Sequence, residues 1–155
     1  MAEERILVVM PNWFGETLFA TPFLSSLRRA RPSAFIAALG VSRCQEILAH
    51  HPHLNACLLY EERGRHRSLA GTRRLIGELR NLRCDTAFLL RRSLTRSLLL
   101  AGAGIRRRIG FAQWKSGWLL TDRVVPPVGS MHSSIVASQT AQRTVSRGQS
   151  CFRET

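Results

Sequence analysis

The fold is decided by one stretch near the amino terminus: Ile6-Leu-Val-Val-Met10, then Pro11-Asn-Trp-Phe-Gly15, then Glu16 to Arg29. The first five residues form a continuous apolar run, which is typical of a strand covered on both faces. Proline and glycine break that run, and the residues that follow carry apolar side chains at helical spacing. Pro22 lies inside this predicted helix, where it removes one backbone hydrogen bond. The stretch therefore predicts a strand, a turn and a helix.

The same alternation of strand and helix repeats as far as Phe111. Apolar runs predict further strands at residues 35–39, 56–60, 86–90 and 107–111. Helical periodicity predicts helices at residues 42–49, 68–83 and 94–103. Strands and helices that alternate in this way predict the α/β class, a Rossmann-like parallel sheet with helices on both faces.

The pattern changes near the carboxyl end of the chain. Residues 129–155 are rich in Ser, Thr, Gln and Arg and show neither strand nor helical periodicity. Such a segment buries too little apolar surface to offset the entropy of ordering. We therefore expect one Rossmann-like domain over residues 1–128 and a disordered or frameshifted tail over residues 129–155.

Charge is the most unusual feature of the composition. The 155 residues carry a net charge of +13, and 22 of the 23 basic residues are arginine. Between Glu61 and Lys115, fourteen basic residues face four acidic ones. A genome rich in G and C is one interpretation of part of this bias. A basic face for nucleic acid, a phosphorylated saccharide or an anionic lipid surface is the functional alternative.

Several classes of protein are not favoured by the sequence. The basic segment lacks zinc-finger spacing and an RNP-type aromatic motif, so no specific nucleic-acid partner is expected. The four cysteines are scattered and His50, His51 and His53 lie around Pro52, so we predict no metal site. No apolar run approaches the roughly 20 residues of a membrane span and the acidic amino terminus is unlike a signal peptide, which predicts a cytoplasmic protein.

The loop after the first strand is the candidate ligand site, because ligands of open α/β sheets bind beyond the carboxyl ends of the strands. Asn12, Trp13, Gly15, Glu16 and Thr17 occupy this position. Neither G-x-G-x-x-G nor G-x-x-x-x-G-K-[ST] is present. Glu16 has two interpretations: a carboxylate that does chemistry, or an acidic residue favoured by the helix dipole in the first turn.

The whole stretch from Ile6 to Arg29 resembles the opening of the ADP-heptose:lipopolysaccharide heptosyltransferases, especially the heptosyltransferase II branch. That family begins with an apolar strand, then Pro-x-Trp-x-Gly-Asp, then a helix containing Thr-Pro. The resemblance extends to about residue 128 through Glu61-Glu62, Arg73-Arg74, Ile105-Arg-Arg-Arg-Ile-Gly-Phe111 and Leu119-Leu-Thr-Asp122. It implies the GT-B architecture, in which two Rossmann-like domains face each other across a cleft.

The resemblance also implies a chemistry for the site. The amino-terminal domain of the family holds the acceptor, a lipopolysaccharide inner core with acidic Kdo sugars, and the second domain holds ADP-heptose. The family's Gly-Asp carboxylate is the implied general base, and no cofactor or metal is implied. In this chain Glu16 stands at that position, and its side chain is one methylene longer than that of the family's aspartate. The carboxylate is therefore moved, and a displacement of about 1 Å in a catalytic group can lower the rate roughly a hundredfold.

The acceptor-binding residues implied by the resemblance lie at the strand ends. They are Asn12, Trp13, Gly15, Thr17, Arg63, Arg65, Arg91, Arg92, Ser93 and Arg96. Heptosyltransferase II has Pro-Asn-Ser where this chain has Arg91-Arg92-Ser93, so two charges replace an amide contact. For each arginine alone, a solvated surface charge is the alternative.

A complete family member is about twice as long as this chain, so we expect a fragment that lacks the nucleotide-sugar domain and transfers no sugar alone. The family also implies peripheral contact with the inner face of the inner membrane. The competing hypothesis is a standalone basic Rossmann-like module that binds anionic glycolipid or membrane without catalysis.

Overall fold

Strands and helices alternate through the part of the chain that the computed structural model describes, residues 4–61, 64–91, 93–111 and 117–124. The strands are β1 (Arg5–Val9), β2 (Phe35–Gly40), β3 (Ala56–Leu59), β4 (Thr86–Leu89), β5 (Arg107–Phe111) and β6 (Asp122–Val124). The helices are α1 (Phe14–Ala30), α2 (Gln45–Ala49), α3 (Leu69–Asn81) and α4 (Leu94–Gly102). Short 3-10 segments at Ser42–Cys44 and Gly117–Leu119 precede α2 and β6.

The six strands form a single parallel sheet in the order β3-β2-β1-β4-β5-β6. This is the strand order of a Rossmann fold, in which the order reverses between β1 and its neighbour on the other side. The α/β Rossmann-like class predicted from the sequence is therefore confirmed. The loops that follow β1 and β4 meet at the reversal, which is where such sheets bind ligands.

Helices cover both faces of the sheet, as predicted. In β1, Ile6 and Val8 pack into one core while Leu7 and Val9 pack into the other, and all four are buried. The first core contains side chains from α1 and α2, and the second contains side chains from α3 and α4. Burying each such side chain stabilises the fold by about 1.5–3 kcal/mol. The apolar run at the start of the chain is continuous because both faces of β1 are covered.

Pro22 does not interrupt α1, which continues as a helix to Ala30. A residue at position 22 would normally donate its backbone N–H to the Leu18 carbonyl, and proline has no N–H to give. The Thr21 hydroxyl donates to that same carbonyl instead, at 2.8 Å. The adjacent threonine therefore satisfies the acceptor that the proline leaves open.

Strand β6 is the main difference from the sequence-based expectation. Its three residues pair with β5 in parallel, and the Arg107 guanidinium lies 3.1 Å from the Asp122 carboxylate. The Thr121 hydroxyl accepts from the Arg108 backbone N–H at 2.8 Å. A three-residue strand carries too short a pattern to be found from periodicity. The predicted boundary at residue 128 and the tail over residues 129–155 lie outside the described residues.

Helix α3 begins against the loop that follows β3. Ser68 caps the helix by accepting from the Gly71 backbone N–H at 3.0 Å. A Cβ atom at position 71 would lie 1.9 Å from the Arg65 carbonyl oxygen, so only glycine allows this approach. At Gly77, further along the same helix, a Cβ would meet no atom within 4 Å.

Candidate functional site

A cavity of about 460 Å³ lies at the carboxyl edge of the sheet, where the strand order reverses. Loops that follow β1, β2, β3 and β4 all contribute to its wall. The lining residues are Asn12, Trp13, Val41, Ser42, Arg43, Tyr60, Glu61, Gly64 and Arg91. Its size is in the range of small-molecule sites, and its wall combines aromatic, polar and charged groups as such sites do.

Arg96 fixes the loop that follows β1. Its side chain is only 3% exposed, and its guanidinium donates to the Met10 carbonyl at 2.8 Å and to Asn12 Oδ1. The guanidinium carbon also lies 5.5 Å from the centre of the Tyr60 ring. These contacts connect α4 with the ends of β1 and β3. The structure places Arg96 beneath the cavity wall, not among its lining residues.

The side chains of Thr17 and Ser93 also make hydrogen bonds within the domain. Thr17 is fully buried; its hydroxyl donates to the Pro11 carbonyl at 3.1 Å and lies 3.2 Å from the Cys44 sulfur. Ser93 is the N-cap of α4, where its side-chain oxygen accepts from the Arg96 backbone N–H at 3.4 Å. A serine cap of this kind satisfies one of the unpaired donors at a helix start.

The first turn of α1 presents the predicted catalytic carboxylate. Glu16 is partly exposed there, and it is not one of the residues that line the cavity. Trp13 lines the cavity, is 61% exposed, and has the Arg43 guanidinium 5.3 Å from its ring centre. A Cβ atom at Gly15 would meet no atom within 4 Å, so this position borders open space.

The predicted basic residues are placed differently from one another. Arg91 is partly buried in the cavity wall, and its Nη1 is a buried donor that has no hydrogen-bond partner among the described residues. Arg65 is largely exposed and approaches the Glu61 carboxylate at 3.6 Å. Arg63 and Arg92 lie outside the described residues. A buried guanidinium nitrogen without a partner costs free energy, and an anionic oxygen nearby would remove that cost.

The sequence analysis predicted Arg63 and Arg65 after β3 as site residues, but several other residues after β2 and β3 that line the cavity were not predicted. Ser42, Arg43, Tyr60 and Glu61 all line the cavity. The rule that identified the loop after β1 applies equally to these two loops, because all parallel strands end at the same edge. The signal was therefore present in the order of elements, although no motif marks it.

Curated relatives match most of this chain. Lipopolysaccharide heptosyltransferase 2 from Escherichia coli (strain K12) is 29% identical over 119 residues, which cover 76% of this chain and 34% of the relative. The chain therefore spans about a third of the length of the curated relatives that it matches. No protein-family model matches it.

Solved structures of glycosyltransferases resemble this chain in fold. The structure of E. coli ADP-heptose lps heptosyltransferase II superposes with a TM-score of 0.68 at 25% identity, covering 88% of this chain and 43% of the other. The chain is heptosyltransferase-like. It corresponds to the amino-terminal part of these glycosyltransferases. A glycosyl transferase family 9 structure from Veillonella parvula shares the fold with a TM-score of 0.79 at 20% identity, covering 92% of this chain and 42% of that one.

The cavity of this heptosyltransferase-like chain lies entirely within the Rossmann-like unit that the comparisons cover. Among the residues that the structure describes, the wall holds the guanidinium groups of Arg43 and Arg91 and the carboxylate of Glu61. Guanidinium groups bind carboxylate or phosphate oxygens, and carboxylates accept hydrogen bonds from hydroxyls. The arrangement suits a ligand that carries both an anionic group and hydroxyl groups.

Proposed function

We propose that this chain is the acceptor-binding part of a glycosyltransferase that transfers heptose from ADP-heptose to the lipopolysaccharide inner core. The observation that carries the proposal is the polar cavity at the sheet reversal of a heptosyltransferase-like fold. Its two arginines match the acidic groups of an inner-core sugar. ADP-heptose is a partner in this proposal only where a nucleotide-sugar domain faces the cavity.

Glu16 is the proposed general base. It belongs to the first turn of α1, directly after the open position Gly15 and three residues after the lining residue Trp13. A base in this place would take the proton of the acceptor hydroxyl as that oxygen attacks the anomeric carbon of ADP-heptose and the bond from that carbon to ADP breaks, releasing ADP. Glu16 and Trp13 are thus proposed to work on the same bound sugar.

The remaining predicted residues divide into two proposed roles. Asn12, Trp13 and Arg91 line the cavity and are proposed to touch the acceptor, together with Arg65, which lies 3.6 Å from the carboxylate of the lining residue Glu61. The buried contacts of Arg96, Thr17 and Ser93 support a positioning role, because each holds the loop or helix start beside the cavity. Arg63 and Arg92 stay predicted contacts.

Binding and transfer can be tested separately with the full chain. Titration with a Kdo-terminated inner-core oligosaccharide, followed by NMR, should show saturable binding that Arg91→Gln weakens and that Arg74→Gln leaves unchanged. Arg74 is the matched control, since it is exposed and pairs with Glu78 away from this cavity. Equal binding by wild type and Arg91→Gln would contradict the acceptor site.

For transfer, the full chain is combined with the nucleotide-sugar half of the E. coli relative and supplied with ADP-heptose. Glu16→Ala should abolish transfer, while Glu46→Ala should retain it. Glu46 is a suitable control because it is also an acidic residue in the first turn of a helix. Transfer at the wild-type rate by Glu16→Ala would remove the proposed base.

A second candidate function is binding to an anionic membrane surface, without catalysis. None of the helices in the described ranges is both long and apolar enough to cross a bilayer. Helix α3 nevertheless exposes 82% of Leu69, with Arg73 and Arg74 exposed on its next turn. An apolar side chain near arginines suits peripheral contact with anionic lipid at the inner face of the inner membrane. Co-sedimentation with anionic but not zwitterionic vesicles, lost in Leu69→Glu, is the expected result.

A further inference from the structure

The backbone of Glu61 is held by several hydrogen bonds at the end of β3. Its N–H donates to His66 Nδ1 at 3.0 Å. Its carbonyl accepts from the Gly64 and His66 backbone N–H groups, both at 3.2 Å. His66 is itself buried and stacks on the Tyr60 ring, with the ring centres 5.7 Å apart. The residue is therefore fixed from both sides at the rim of the cavity.

The side chain of Glu61 is also oriented. Its Oε1 accepts from the Ser42 hydroxyl at 3.3 Å and lies 3.6 Å from the Arg65 guanidinium. Hydrogen bonding from the Arg65 backbone N–H, then from its side chain, holds the pKa of Glu61 below its usual range. A Cβ atom at Gly64 would lie 2.7 Å from Oε2, so the glycine leaves room for the carboxylate. Glu61 is therefore an ionised acceptor in a defined position.

This carboxylate keeps capacity for a ligand. A carboxylate offers about four acceptor sites, and within the described ranges only groups of Ser42 and Arg65 approach it. The side chain is 31% exposed and lines the cavity. Among the described residues no ion pair joins it to Arg91, so positive and negative charge stay separate in the wall.

We propose that Glu61 is a specificity-determining residue that accepts hydrogen bonds from hydroxyl groups of the bound acceptor sugar. An ionised carboxylate accepts but cannot donate, so it attracts hydroxyls and repels the anionic group of the same ligand. The anionic group of the ligand is then bound by Arg91. The cavity therefore selects a polyhydroxylated acid over a simple anion and over a neutral sugar. This inference rests on the proposed acceptor-binding function.

The test compares three small probes bound to the full chain by NMR titration: glucuronate, acetate and methyl glucoside. Wild type should bind glucuronate more tightly than either of the others. Losing hydrogen bonds to a charged acceptor should make glucuronate binding about tenfold weaker in Glu61→Gln. Acetate should bind Glu61→Gln as tightly as wild type or more tightly, because a repelling charge is gone. Gly64→Ala should also weaken glucuronate binding without weakening acetate binding, because the added methyl group would displace the Glu61 carboxylate.

Glu78→Gln is the matched control, since Glu78 also pairs with an arginine four residues away, and it should change nothing. Unchanged or tighter glucuronate binding by Glu61→Gln would overturn the role of Glu61 while leaving the acceptor cavity in place. Equal affinity of wild type for glucuronate and acetate would overturn it too. Wild type that binds none of the three probes would refute the acceptor cavity itself, and the role of Glu61 with it.

Discussion

Replacing Arg96 with methionine should destabilise the domain strongly. The guanidinium joins residues that are 86 positions apart, because it donates from α4 to the Met10 carbonyl. It also donates to Asn12 Oδ1 and lies over the Tyr60 ring. Methionine is unbranched and uncharged and ends about where Nε of the arginine lies, so it keeps the apolar part of the side chain and removes the guanidinium.

The magnitude follows from two lost hydrogen bonds. A bond that involves a charged group contributes about 1.5–3 kcal/mol, so two of them contribute roughly 3–6 kcal/mol. Removing the buried guanidinium also removes its desolvation cost, which offsets part of that loss. We therefore expect the free energy of unfolding to fall by about 2–4 kcal/mol, a large share of the 5–15 kcal/mol that is typical of a domain.

Urea denaturation followed by circular dichroism measures this difference. Arg74→Met is the control, since Arg74 is exposed and forms only a surface pair, which is worth about 0–1 kcal/mol. Arg96→Lys should recover part of the loss at most, because an ammonium group lacks the planar fork that reaches two acceptors at once. A loss below about 0.5 kcal/mol in Arg96→Met would refute the argument that this arginine fixes the loop.

Three further results are expected. Gly71→Ala should destabilise the chain by more than about 1 kcal/mol, because the new methyl group would clash with the Arg65 carbonyl. Gly77→Ala should stabilise the chain by up to about 1 kcal/mol, because a methyl group there meets no atom. Equal effects of the two substitutions in urea denaturation would contradict this reasoning. Thr21→Val should cost about 0.5–1 kcal/mol because it leaves the Leu18 carbonyl open, and Thr21→Ser should cost less; a neutral Thr21→Val would disprove that contact. Burial, with a contribution from the Asp85 carboxylate, raises the pKa of Cys84 to about 11. Iodoacetamide at pH 8 should therefore label this thiol far more slowly in the native chain than in urea, and peptide mass spectrometry measures the difference.

The fold was predictable because its signals are local. The apolar run of β1 and the helical spacing of α3 each lie within one short segment; Pro11 follows the end of β1, and Ser68 gives a capping signal at the start of α3. The start of α1 at Phe14 was placed two residues late, since a tryptophan at the N-cap gives no capping signal. Strand β6 was missed because its pairing depends on the edge that β5 offers, not on its own three residues.

The site was predicted less completely, since it depends on contacts between distant segments. The rule about strand ends identified Asn12, Trp13 and Arg91, which do line the cavity. After β3 the same rule selected Arg63 and Arg65, and it passed over Glu61, which lines the cavity. Arg96 could also have been recognised as buried, because it stands one turn before Leu99 and Leu100 on the same helical stripe.

The high arginine content now has a more specific explanation than a basic face for a polyanion. Several guanidinium groups donate to backbone carbonyls at distances from 2.6 to 2.8 Å, which holds the ends of strands and helices; they are those of Arg5, Arg28, Arg80, Arg96 and Arg108. A carbonyl satisfies the donor without neutralising its charge, so each such bond leaves a net positive charge on the domain. Much of the net charge can therefore arise from structural donors. The charge that bears on recognition lies at the cavity, where the described lining residues include Arg43, Arg91 and the carboxylate of Glu61.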